Sequence, residues 1–218
     1  MYPYQIGLLV GRLDMSKAIT VTRQVFALDE LDDTARTAAI KMLRDENYEN
    51  IPSDMITESI NGKLAMLLTG EDHGDIDANK LYTLTGLFLE WSLGYRQGDG
   101  VAFYGKLSHE DASQLTWGDA VSATLTRNSY GYHYSHANCF NLELFDGEEY
   151  GEGNTVDDKG VMAAELSLIC KKLERYGYAQ IEHYTSEPYV IELLNDNDKP
   201  RIFNADGTLA PSQFWAAL

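Results

Sequence analysis

Apolar and polar residues alternate at the start of the chain. Ile6, Leu8 and Val10 take every second position, and Ile19, Val21 and Phe26 follow with Thr20 and Thr22 between them. A period of two puts successive side chains on opposite faces, so residues 1–26 are expected to be extended. The period then lengthens. Leu31, Ala35, Ala38, Ala39, Met42 and Leu43 recur at helical spacing behind Asp29 and Asp32, and Arg44 stands near the end of the run. Carboxylates of this kind cap helix N-termini and favour the positive end of the dipole. A second helix is expected from Ser53 or Asp54 to about Leu68, stopped by Gly70.

Residues 70–80 read as an acidic loop. The clearest strand follows, with Leu87, Leu89, Trp91, Leu93 and Tyr95 on one face and Glu90, Ser92 and Gly94 between them. Gly98 and Gly100 tolerate positive φ, so residues 96–100 can turn the chain into a return strand from Val101. Ser108 with Asp111 resembles a capping box and predicts a short helix over 109–116. Residues 121–125 and 140–144 alternate as strands, and residues 146–158 are acidic and Gly-rich. A long helix is expected over 158–177, because Leu166, Ile169, Cys170 and Leu173 form one stripe and Gly177 can end it. A further short helix fits within residues 180–194, and a short hairpin fits residues 202–209.

Helices, then antiparallel strands, then a helix describe an α+β fold rather than alternating parallel α/β units. No Pro/Ser-rich linker and no internal repeat divides the chain. The expectation is one α+β domain over residues 1–218, a twisted antiparallel sheet packed against two or three helices.

Charge narrows the partners. The chain of 218 residues carries 34 acidic and 17 basic side chains, a formal net charge of −17, with a pI near 4.5. Direct binding to nucleic acid or to an anionic membrane is disfavoured. Solubility, a basic protein partner, and imitation of nucleic acid remain. Duplex DNA carries one charge per roughly 1.7 Å, so even a single face holding the whole net charge would copy only about eight base pairs. No apolar run reaches the ~18 residues of a membrane span, and the first residues lack a basic n-region. A cytoplasmic location is therefore expected. Cys139 and Cys170 share no short spacing and read as buried apolar residues.

Candidate chemistry is sparse. His133 and His136 could ligate a metal, with Glu143 or Asp146 in support, but nothing fixes a third ligand, and aromatic surface packing is the better explanation of them. Residues 72–77 lack EF-hand spacing. There is no nucleophile elbow and no phosphate loop, so no catalytic residue, metal or cofactor is assigned. Three groups are candidates for binding a partner. The first is the hairpin tip, Arg96, Gln97 and Asp99, where Asp99 either bonds locally or faces a partner. The second is Tyr130, Tyr132 and Tyr134, which would share one face of a strand and could serve a partner or a second copy of the chain. The third is the acidic pair of loops, with Glu71, Asp72, Asp75 and Asp77 in one and Asp146, Glu148 and Glu149 in the other.

Two segments carry a family resemblance. Residues 26–40, Phe-Ala-Leu-Asp-Glu-Leu-Asp-Asp-Thr-Ala-Arg-Thr-Ala-Ala-Ile, are similar to a segment of a group of small phage and prophage proteins, some labelled antitoxin-like. Residues 87–105 resemble that group's second segment, most specifically at Gln97-Gly98-Asp99-Gly100. The stretches 174–178 and 184–186 fit as well. Arg96 stands where the group more often has Ser or Cys, and residues 108–128 have no counterpart. The resemblance implies a virus-encoded protein of the infected cell's cytoplasm and brings no catalytic residues. Lifestyle and charge together suggest a non-enzymatic inhibitor of a host defence protein that handles nucleic acid, comparable to anti-restriction or anti-CRISPR proteins that mimic DNA. The alternative is a small-molecule or nucleotide-binding protein, or an enzyme, using residues 95–101 and 130–136.

Overall fold

The extended start is two strands rather than one. In a computed structural model, which describes residues 4–9, 20–51, 53–128, 136–145, 160–194 and 201–211, β1 (Tyr4–Leu9) pairs antiparallel with β2 (Thr20–Val25), Tyr4 opposite Val25. The helices α1 (Asp33–Glu49), α2 (Ser53–Thr69) and α3 (Ala78–Thr85) follow. Four strands come next, β3 (Leu87–Ser92), β4 (Gly100–Ser108), β5 (Ser122–Arg127) and β6 (Phe140–Phe145). The helices α4 (Gly160–Tyr184) and α5 (Glu187–Leu194) complete the order. The architecture is α+β, with an antiparallel sheet β3-β4-β5-β6 packed against helices.

The chain falls into two compact units, Met1–Ile51 with Glu182–Leu218, and Pro52–Ile181. Composition marks neither boundary, because the second lies inside α4.

In the first unit, α1 begins where its cap predicts. The Asp32 carboxylate accepts from the Ala35 N–H at 2.9 Å. Ala35, Ala39 and Leu43 on one face of α1 cluster with Leu31 just before the helix, Val190 of α5 and Phe203. Phe203 bridges both Phe26 and Leu209, which realises the hairpin expected near residues 202–209.

In the second unit, Leu87, Val101, Phe103, Leu107, Leu125 and Leu144 are buried on the sheet. Ile56, Ile60, Leu64 and Leu68 of α2 are buried too, as are Met162, Leu166, Ile169 and Leu173 of α4. Trp91 Nε1 donates to Thr57 Oγ1 and ties β3 to α2. Burial of this kind contributes about 25 cal/mol per Å² of apolar surface removed from water.

Four further expected elements differ. The strand expected to run through Tyr95 ends at Ser92, because Tyr95 turns left-handed with φ of 57° and is 60% exposed in the turn rather than on the apolar face. The 70–80 loop ends early, because Asp77 accepts from the Lys80 N–H and caps α3. Residues 109–116 form turns instead of a helix. Ser108 and Asp111 do bond each other, but the Gln114 N–H donates to Leu68 O at the end of α2. That bond diverts a donor that a helix would need. Finally, α4 does not stop at Gly177. The glycine is buried, and a Cβ there would lie 2.4 Å from Leu93 Cδ1 and 3.1 Å from Ile60 Cδ1. It serves close packing rather than termination, and the helix continues to Tyr184, so the short helix expected within residues 180–194 is α5 alone.

Candidate functional site

The acidic loop is held in place from beneath. Glu71, Asp72, Asp75 and Asp77 are all exposed, while Ile76 between them is 2% exposed. The Ile76 N–H donates to Glu58 O at 3.1 Å, and Asn61 Nδ2, buried on α2, donates to Ile76 O at 3.2 Å. Gly62 completes the seat, since a Cβ there would stand 1.8 Å from Gly74 O. Asp72 accepts from the Gly74 N–H and so shapes the turn. Asp72 and Asp77 therefore build the loop as well as charging it. Glu71 and Asp75 have no side-chain hydrogen bond among the described residues. The result is an array of negative charge on a backbone fixed to α2.

At the hairpin tip the structure separates the three candidates. Asp99 accepts from Ser92 Oγ at 2.6 Å, from the Gly94 N–H at 2.8 Å and from the Arg96 N–H at 2.6 Å. Partial burial pushes its carboxyl up, but the bonds from Ser92, Arg96 and Gly94, with the Arg96 charge, outweigh this and hold it below the usual range. Asp99 thus organises the turn, while Arg96 and Gln97 are exposed on it. Tyr95 has φ of 57°, a left-handed conformation that costs a residue with a side chain about 1–2 kcal/mol. Its ring packs against that of Tyr178 on α4, centroids 4.4 Å apart and tilted by 30°. Burial raises the Tyr178 phenol.

Tyr130, Tyr132, Tyr134 and His133 lie outside the described residues, as do Asp146, Glu148 and Glu149. His136 is half-buried, and its Nδ1 accepts from the Asn138 N–H. Among the described residues no group of three His, Cys, Asp or Glu is placed to hold a metal ion, and no helix is long and apolar enough to cross a membrane. Cys139 and Cys170 are buried and free. Burial pushes the Cys170 thiol up to about 12, so at neutral pH it is not a thiolate nucleophile.

One feature escaped the sequence reading. A cavity of about 510 Å³ opens on the first unit, between α1 and residues 185–187. Arg44 reaches it after donating from Nε to Thr185 O at 2.8 Å, and Asn47 Nδ2 donates to Tyr184 O at 3.3 Å. These bonds satisfy carbonyls at the end of α4 that its own ladder leaves open. The available signal was the spacing of Thr37, Lys41, Arg44 and Tyr48 along one face of α1.

Comparison with protein-family models, with curated proteins and with solved structures gave no match.

Proposed function

We propose that this is a phage- or prophage-encoded accessory protein of the infected cell's cytoplasm. It acts without catalysis, by binding a basic surface on a host protein that handles nucleic acid. The observation that carries this reading is the seating of residues 71–77. A loop that served only solubility would need neither the buried Ile76 anchor nor the Asn61 and Gly62 seat beneath it. Fixing the charges before contact lowers the entropy lost on docking. A net charge of −17 favours fast encounter with a basic partner and disfavours nucleic acid itself.

The test is capture of partners by the tagged protein from an extract of its natural host, followed by identification. The expected result is a basic nuclease or other nucleic-acid-binding protein, eluted by raised salt and displaced by duplex DNA. A partner that stays bound at raised salt and ignores duplex DNA would refute the reading.

A further inference from the structure

We propose that the cavity between α1 and the start of α5 binds a small zwitterion of dipeptide size, one carrying a free carboxylate, a free ammonium and an apolar side chain. This inference is independent of the acidic-loop reading. The cavity volume of about 510 Å³ falls within the ~300–1,000 Å³ of small-molecule sites.

The charges lining it divide into two kinds. Lys41 and Asp45 pair with each other at 2.8 Å, one helical turn apart. Arg44 and Glu187 do not share that pair. The Nε–H bond to Thr185 O fixes the guanidinium, and its two terminal nitrogens have no partner among the described residues. They form a planar fork suited to a carboxylate. The Glu187 carboxylate, in the first turn of α5, likewise has no partner among the described residues and can accept from an ammonium. Ile40 and Tyr48 also line the cavity and supply apolar wall. A simple anion would meet Asp45 and Glu187, and a simple cation would meet Lys41 and Arg44. A ligand bearing both charges meets a complement at each end.

The probe is L-leucyl-L-tyrosine, compared with its N-acetyl form, which lacks the ammonium, and its C-terminal amide, which lacks the carboxylate. Binding is read by ligand-observed NMR and by the rise in Tm. The parent dipeptide is expected to bind saturably, and each blocked form at least roughly tenfold more weakly. Glu187→Gln is expected to bring the parent down to the N-acetyl form while leaving the preference for a free carboxylate. Glu187 is exposed, so this variant keeps the fold even where Arg44→Gln fails to. Absence of saturable binding up to about 10 mM, equal binding of the three probes, or binding unchanged by Glu187→Gln would each overturn the assignment.

Discussion

Asn61 and Ile76 meet through one buried hydrogen bond, Nδ2 to carbonyl at 3.2 Å, that joins α2 to the acidic loop. Asn61 is 1% exposed and Ile76 2%. A buried side-chain amide is costly to desolvate, so its use here marks a position where the path of the loop is specified rather than free.

Removing that bond should loosen the loop. Asn61→Ala leaves the Ile76 carbonyl buried without its donor and is expected to cost about 1–3 kcal/mol. Gly62→Ala should cost a similar amount, about 1–3 kcal/mol, because the added methyl collides with backbone at Gly74 rather than with a flexible side chain. Urea denaturation checks both, and hydrogen exchange should show the gain in mobility concentrated over residues 71–77.

The hairpin tip should be sensitive to acid. The folded Asp99 carboxyl titrates below its ordinary value, so its stabilisation is complete above pH about 4. It is lost as pH falls through the lowered folded value. Asp99→Asn is expected to be less stable than the parent near neutral pH by about 1 kcal/mol. The gap should narrow below pH about 4. Denaturation midpoints at a series of pH values check this, and a gap that widens in acid would show that another group dominates.

Cys170 should be inert in the native protein. The residue is 1% exposed, and burial pushes its thiol up to about 12. Its reaction with a thiol reagent at neutral pH should follow local or global unfolding and accelerate in denaturant. Measuring native reactivity in a Cys139→Ser background isolates this cysteine. Rapid labelling without denaturant would contradict its placement.

The end of α4 should depend on α1. Asn47→Ala removes the donor to Tyr184 O and is expected to cost about 0.5–1.5 kcal/mol. Arg44→Gln removes the bond to Thr185 O and should cost about as much. These residues contact adjacent carbonyls, so their effects should be less than additive in the double variant.

Where local chemistry decided a structure, the sequence was readable. The Asp32 cap, the stop at Gly70, the start of the strand at Leu87 and the turn at Gly98 all depend on near neighbours, and each appears as expected. Where a distant residue decided it, the pattern misled. Gly177 looked like a helix end, but its lack of a side chain serves Leu93 and Ile60. The 109–116 segment has a helix start, but Leu68 of α2 takes one of its donors. Only two residues of α3, Leu81 and Thr85, are buried, too few to leave a stripe. For the candidate site, the charges at residues 71–77 and the residues of the 96–99 turn were visible. The inward use of Asp99, the seat beneath Ile76 and the α1 cavity required the third dimension.

The most direct test of the central claim is the affinity of the captured partner measured against salt for the parent and for the Glu71→Lys/Asp75→Lys double variant. These two side chains are exposed and make no side-chain hydrogen bond among the described residues, so the fold should be preserved. Parent affinity is expected to fall steadily with ionic strength. The variant should bind at least roughly tenfold more weakly at low salt, with a shallower salt dependence. Equal affinities and equal slopes for the two proteins would contradict the claim that residues 71–77 dock a basic partner.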